Sequence, residues 1–489
     1  MLTNFEITIN EPDKLLEFIN GELKPKEKEK KENGEVFTPL SLVNEMLDKL
    51  DEAYIKEHGE SIFKEEGFRW LDPAVGIGNF PIIVYQRLMK GLVTKFQNEE
   101  DRRKHILEQM IYSAELTPKN VFIYKQIFCC DKYKLNIYEG NTLKMDFKKA
   151  FKLLNDFEGF DIILGNPPYN PPKTETGSSG NSIWQNFVMK SFEILKDKGY
   201  LCLVHPSGWK KPTDKVFNID KFTSGDYSKQ IRQGQVWRFL KEKGVFMFIY
   251  TNDQNKKKHS DYLQHFPAVD FYVYQKEGDK HNLCNTKNVF LGKVILLNNV
   301  KLNYNLDYLP NLITTQTQEI LHKITAKEGD KADFKRFRAS NGFSQDHSKG
   351  QYKYFYTVNS KKERQYQYSN IRDKNIDINK VVMNWQGGIN TYYVSYIKSN
   401  EKLGAFDKVM YSKVNTDKEG IHLELFFKSN IVKFIFLITQ YASGMRTVNE
   451  HLVANSITIP PEEEYEYYKF FDIEDHKDYI EDILSKINN

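Results

Sequence analysis

Between residues 40 and 300, apolar positions switch repeatedly between helical spacing and short continuous runs. Leu42, Val43, Met46, Leu47 and Leu50 recur every three or four residues, which predicts a helix over 41–50 with one buried face. Strands are predicted at 68–71, 110–115, 136–138, 160–163, 199–205 and 245–250, and residues 265–274 complete a hairpin-like pair. Helices are predicted between them at 81–90 and 235–243, and Trp184, Phe187, Val188, Ser191, Phe192 and Leu195 mark another helix face. Strands alternating with helices of this length predict an α/β fold built on a mostly parallel sheet.

From about residue 300 this alternation gives way to short, aromatic, basic strands. Tyr352, Tyr354 and Tyr356 alternate with Lys353 and Phe355, and Gln386-Gly387-Gly388 lies between two strand-like runs as a hairpin signal. A long apolar helix is predicted over 428–442, stopped by Ser443-Gly444, and two short helices follow Ile459-Pro460. With 489 residues, more than one domain is expected. The divisions fall at 1–33 (a short helix and a mixed-charge linker), 34–300 and 301–489.

Net charge is only +4, so any nucleic-acid surface has to be local. The four cysteines, Cys129, Cys130, Cys202 and Cys284, have no metal-ligand spacing, so neither bound metal nor a disulfide framework is expected. The nearest approach to a membrane span, Ile431 to Ala442, is interrupted by Lys433 and reads as a buried helix. A monomeric, cytoplasmic protein with no membrane contact is expected.

The chemistry concentrates at Leu164-Gly165-Asn166-Pro167-Pro168-Tyr169, which follows the run 160–163. Two prolines without N–H donors take the chain out of the sheet. Asn166 is thereby left at the carboxyl end of a strand, where open α/β sheets place ligands. The Asn166 amide oxygen, the Pro167 carbonyl and the Tyr169 ring suit a flat, amine-bearing ring. A second signal, Asp72-Pro73-Ala74-Val75-Gly76-Ile77-Gly78-Asn79-Phe80, leads from a strand through a glycine turn into a helix. Pyrophosphate capture fits it poorly, because no third glycine follows at dinucleotide spacing and no Gly-Lys-Ser/Thr occurs. Glu115 ends the second strand, Asn141 follows Gly140, and Gly34-Glu35-Val36-Phe37-Thr38-Pro39 precedes the first helix. His205 is a lone histidine beside a turn, an arrangement more often structural than catalytic.

These segments resemble, in order, motifs X, I, III, IV, VI and VIII of the gamma group of S-adenosylmethionine-dependent DNA amino-methyltransferases. The likeness covers roughly residues 34–275. It implies a Rossmann-like methyltransferase domain over 34–300 with a mostly parallel seven-stranded sheet, and a mixed α+β target-recognition domain over 301–489. It further implies that Phe37, Thr38, Asp72, Pro73, Ala74, Gly76, Gly78, Asn79, Glu115 and Asn141 bind S-adenosylmethionine. By the same likeness Asn166, Pro167, Pro168 and Tyr169 act on a flipped-out base, with Phe266 stacking beside Tyr169. Lys256, Lys257 and Lys258 are candidate contacts to double-stranded DNA. Asn-Pro-Pro-Tyr favours adenine N6; cytosine N4, RNA and a protein glutamine stay open as alternative substrates. A separately encoded restriction endonuclease is a candidate partner. No acidic/Lys cleavage motif is evident, so methylation without cutting is expected.

Overall fold

Pro39 caps the first long helix, α1 (Leu40–His58), which runs past the predicted 41–50 until Gly59 turns left-handed at φ 81°. The face named from spacing is the buried one: Leu42, Val43, Met46, Leu47 and Leu50 are at most 1% exposed. This computed structural model describes residues 9, 11, 38–154, 156–170, 182–213, 231–252, 269–281, 283–337, 341–384, 389–441 and 450–487.

The expected alternation follows. In chain order come β1 (Trp70–Asp72), α2 (Asn79–Gly91), α3 (Glu99–His105), β2 (Ile111–Glu115), α4 (Pro118–Ile127) and β3 (Asn136–Glu139). Next are α5 (Phe147–Phe151), β4 (Phe160–Gly165), α6 (Trp184–Ile194), β5 (Leu195–Pro206), α7 (Gln235–Lys243), β6 (Gly244–Asn252) and β7 (Val269–Lys276). The charged stretch that begins α3 is helical because the Asn98 side chain accepts from the backbone N–H groups of Glu100 and Asp101.

One correction concerns the sheet. It has nine strands, in the order β3-β2-β1-β4-β5-β7-β6-β8-β9, not seven. The first seven positions are parallel except β7, which runs antiparallel to both β5 and β6. The two further strands, β8 (Cys284–Phe290) and β9 (Lys293–Val300), form a hairpin whose β8 pairs parallel with β6. Its two-residue loop, Leu291-Gly292, has φ of 48° and 73°. Positive φ at both positions gives the primed turn whose twist suits a tight hairpin. A leucine in the first place hid that turn from the sequence.

Beyond this sheet lie α8 (Thr315–Ala326) and two small sheets. One contains β10 (Lys335–Arg336), β13 (Lys380–Asn384), β14 (Tyr393–Ile397) and β16 (Val409–Lys413); the other contains β11 (Tyr352–Val358), β12 (Arg364–Ser369) and β15 (Leu403–Ala405). Phe355, Val358, Val382, Ile397, Leu403 and Val409 pack together between the two sheets. The helix predicted over 428–442 is α10 (Asn430–Ile438), shorter at both ends, and a separate helix that was not predicted, α9 (Asp417–Phe427), precedes it. The two are separated at Ser429, whose side chain accepts from Val432 N–H and caps α10. A single large core runs from Leu42 under α1 to Ile431, Phe434 and Ile480 near the end of the chain.

Candidate active site

Three loops leave the carboxyl ends of β1, β2 and β3 and are stitched together by hydrogen bonds. Val75 N–H donates to the Ala114 carbonyl (3.0 Å) and Gly140 N–H to the Glu115 carbonyl (2.9 Å). Thr142 Oγ1 donates to the Pro73 carbonyl (2.8 Å). The Glu115 carboxylate accepts from Gly76 N–H at 2.9 Å and from Thr117 N–H at 2.8 Å, one on each oxygen. Each oxygen keeps a second acceptor position, so Glu115 is held in place yet can still receive two further donors.

The turn after β1 depends on its glycines. Gly76 has φ 57° and Gly78 φ 108°. A Cβ on Gly78 would lie 3.0 Å from Phe128 and 3.1 Å from Tyr124, whose rings stack beneath it at 4.4 Å. Gly78 thus allows α2 to start close against that pair. Asn79, the first residue of α2, donates from Nδ2 to the Thr38 carbonyl (2.9 Å), which brings the segment before α1 onto the glycine turn. Asn79 Oδ1 is buried and accepts no hydrogen bond.

Asp72 joins the turn to the tetrapeptide. Its Oδ1 accepts from Ala74 N–H (3.0 Å), and a Cβ on Gly165 would sit 2.6 Å from that same oxygen. Gly165 is therefore the residue that lets β4 end against a carboxyl group. Oδ2 of Asp72 is buried and unbonded. Burial raises its pKa to about 8; the Ala74 N–H opposes the rise and nearby Glu115 adds to it.

Asn166 follows directly, half-buried, with a buried Oδ1 that accepts no hydrogen bond among the described residues. Pro167 is buried and Pro168 half-buried. Tyr169 is 8% exposed, and its carbonyl accepts from Ile183 N–H (3.0 Å) ahead of α6. Burial raises the Tyr169 phenol well above its ordinary value, and the Asn166 side chain beside it opposes the rise. Asn141 is exposed, and its Oδ1 accepts from Leu143 N–H (3.0 Å), capping a short turn.

The expected residues Thr38, Asp72, Pro73, Ala74, Gly76, Gly78, Asn79, Glu115, Asn141 and the tetrapeptide thus gather at one edge of the sheet, the carboxyl ends of β1 to β4. Phe37, Phe266, Lys256, Lys257 and Lys258 lie outside the described residues. His205 is fully buried between Trp184, stacked at 4.3 Å, and the Tyr272 hydroxyl at 3.0 Å. Burial lowers its pKa to about 3, so it is neutral and part of the packing. Sequence reasoning missed Thr142, whose position two residues after Gly140 was the available signal. It also missed the fully buried Lys210–Asp270 pair (2.8 Å), where Trp209 Nε1 donates to the same carboxylate oxygen at 2.8 Å.

Fold and site together resemble the Rossmann-like methyltransferases. A family model described as Eco57I restriction-modification methylase matches residues 83–233. An adenine-specific methylase of Mycoplasma pneumoniae, otherwise uncharacterized, is 23% identical over 348 residues, which cover 57% of this chain and 76% of that one. The type II restriction enzyme and methyltransferase RM.Eco57I of Escherichia coli is 25% identical over 344 residues, 58% of this chain but 34% of its own length. Among solved structures, the type IIL restriction-modification enzyme MmeI in complex with DNA superposes with TM-score 0.52 at 11% identity, covering 90% of this chain and 69% of that one. These matches bear out the resemblance to restriction-modification methylases and the α/β methyltransferase fold. No described helix is long and apolar enough to cross a membrane.

Proposed function

We propose that this chain transfers a methyl group to the N6 amine of an adenine flipped out of duplex DNA. The observation that carries this reading is the Asn166 Oδ1: a buried acceptor with no hydrogen-bond partner among the described residues, at the carboxyl end of β4, one residue from the Gly165–Asp72 contact. A buried acceptor without a partner is costly, which favours a ligand that brings a donor. The adenine-specific name of the Mycoplasma relative supports adenine over cytosine N4. MmeI, solved in complex with DNA, supports a duplex substrate over RNA or protein.

The residues present fit S-adenosylmethionine. Asp72 Oδ2 and Asn79 Oδ1 are buried polar atoms with no hydrogen-bond partner among the described residues, beside a turn that a backbone at positive φ opens to a ligand. In this reading Glu115 holds the ribose hydroxyls, Asn141 the adenine edge, and Phe37, Thr38 and the Asp72–Asn79 turn the methionine end. S-adenosylmethionine bound there supplies an electrophilic methyl on a sulfonium. The chain's part is to prepare the nucleophile. The exocyclic amine is weak because its lone pair is delocalised into the ring. Asn166 Oδ1 and the Pro167 carbonyl each accept one amine N–H, drawing the nitrogen toward tetrahedral geometry and freeing that pair. Tyr169, with Phe266, holds the ring. Alignment of this kind can supply roughly 7–11 kcal/mol, against a few kcal/mol to flip the base. Residues 301–489 serve as the unit that seats DNA, with Lys256, Lys257 and Lys258 on phosphates. A restriction endonuclease encoded separately fits as a partner.

Asn166→Ala tests the assignment. Methyl transfer to DNA should fall by at least about 100-fold, the scale of losing one preorganised hydrogen-bonding group, while cofactor affinity by calorimetry stays within about twofold. Wild-type turnover in the variant would remove Asn166 from the mechanism. Mass spectrometry of the digested product separates N6-methyladenine from N4-methylcytosine.

A further inference from the structure

Positive charge is unevenly distributed along the chain. Residues 331–413 hold 16 Lys and Arg against 7 Asp and Glu, a net of +9, whereas the whole chain is only +4. The basic surface required for a polyanion is therefore concentrated in the two small sheets, and the rest of the chain is net acidic. Within that unit β11 and β12 form an antiparallel ribbon, with β12 at the edge of its three-stranded sheet. A two-stranded ribbon is one of the elements that fit the major groove of B-DNA.

The two faces of β12 differ. Arg364 and Tyr366 turn inward: Arg364 donates to the Tyr393 hydroxyl (2.9 Å) and Ser395 Oγ (2.8 Å), and Tyr366 packs on the cluster between the sheets. Gln365 and Gln367 point the other way, Gln367 opposite Tyr354 on β11. Gln365 is exposed, and its amide makes only a 3.4 Å bond to the Glu363 carbonyl. No hydrogen bond of the Gln367 amide occurs among the described residues. On this same face Lys408 rides over the Tyr356 ring at 4.6 Å.

The hairpin tip is built to leave its lysines outward. Asn359 Oδ1 accepts from Lys361 N–H (3.0 Å) and Glu363 N–H (2.9 Å), and Asn359 Nδ2 donates to Glu363 Oε2 (2.7 Å). The tip's one carboxylate is thus engaged by an amide, and neither Lys361 nor Lys362 forms an ion pair among the described residues. The end of α10 meets the active-site sheet, where Asn311 N–H donates to the Ile438 carbonyl (2.6 Å) and Ser207 Oγ to the Tyr441 carbonyl (3.1 Å).

We infer that the β11–β12 ribbon is the sequence-reading element, with Gln365 and Gln367 facing base edges in the major groove and Lys361, Lys362 and Lys408 on flanking phosphates. This rests on the reading that the chain methylates duplex DNA. A glutamine amide matches the N6 and N7 of adenine, so each position selects an A·T pair; a glutamate there would instead accept from cytosine N4.

The experiment offers purified full chain a random-sequence duplex library with S-adenosylmethionine and maps methylated positions by sequencing. Gln365→Ala and Gln367→Ala should each relax one A·T requirement by roughly five- to 150-fold, the worth of one bidentate base contact. Gln365→Glu should shift its position toward cytosine. Lys361→Ala with Lys362→Ala should weaken binding of all sequences alike and reduce the salt slope by about two. Variants that still methylate DNA with the wild-type consensus at wild-type kcat/KM would overturn the inference alone. A wild-type chain that puts no methyl on duplex DNA would overturn the proposed function instead.

Discussion

At the rim of the nine-stranded sheet, charged groups are buried and answered by backbone or by one another; in the β10–β16 unit, the buried Lys380 excepted, most stand in water and several lean on rings. Asp72 is 2% exposed and Glu115 8%, each carboxylate fixed by main-chain N–H groups. Lys210 and Asp270 are fully buried as a pair. By contrast Lys353 lies over Tyr366 at 3.8 Å and Lys408 over Tyr356 at 4.6 Å, and Lys335–Asp333 is exposed on both sides. A buried, backbone-tied carboxylate keeps one geometry, which suits a small ligand that has to be aligned for reaction. Lysines on rings in water adjust at little cost, which suits a long polyanion met in many registers.

The largest effect that would sharpen this contrast lies at Lys210–Asp270. Lys210→Met leaves Asp270 charged or protonated in a fully buried site, and removing one partner of a buried pair costs about 3–5 kcal/mol. The double variant Lys210→Met with Asp270→Leu should recover most of that loss, because the desolvation of both charges disappears with them. Thermal melting of the wild type, the two single variants and the double variant closes the cycle. A single variant that melts with the wild type would mean the pair is wetter than its burial implies.

Asp72 gives the next effect, through pH. Its native pKa, about 8, lies above the usual carboxylate range, so the folded chain holds a proton that the unfolded chain has released. Stability therefore falls as pH rises from the ordinary carboxylate range through about 8, by on the order of a few kcal/mol. Asp72→Asn should flatten that slope and, in the absence of cofactor, melt higher than wild type at pH 8. The same slope in both proteins would show that the carboxyl is not the group responsible.

Much of the rim was legible in sequence because its signals are local. The diproline takes the chain out of β4 whatever surrounds it, and the glycines at 76 and 78 mark a turn by their own backbone freedom. Glu115 at the end of β2 follows from one apolar run. What escaped depends on partners distant in sequence. The Gly165–Asp72 contact exists because β1 and β4 are neighbours, and β8 joins the sheet only because β6 offers it an edge. Helix α9 escaped for another reason: its buried face includes Gly420 and His422 beside Leu423, Phe426 and Phe427, so its apolar spacing is weak, whereas the apolar run after Ser429 shows α10 plainly. Which face of β12 turns to solvent likewise depends on Tyr393 and Ser395 receiving Arg364 across the two sheets.

The smallest expected effect is at Lys335–Asp333, separated by 2.5 Å with side chains 61% and 68% exposed. Water screens the attraction, and ordering the side chains offsets what remains. Lys335→Ala should therefore melt indistinguishably from wild type at both low and physiological salt. A loss of several degrees that vanished at high salt would mean that exposed charges in this unit bear on its own folding. The contrast with the sheet rim would then fail at its weaker end, and the positive excess over 331–413 would have to be explained in part by stability rather than by a polyanion.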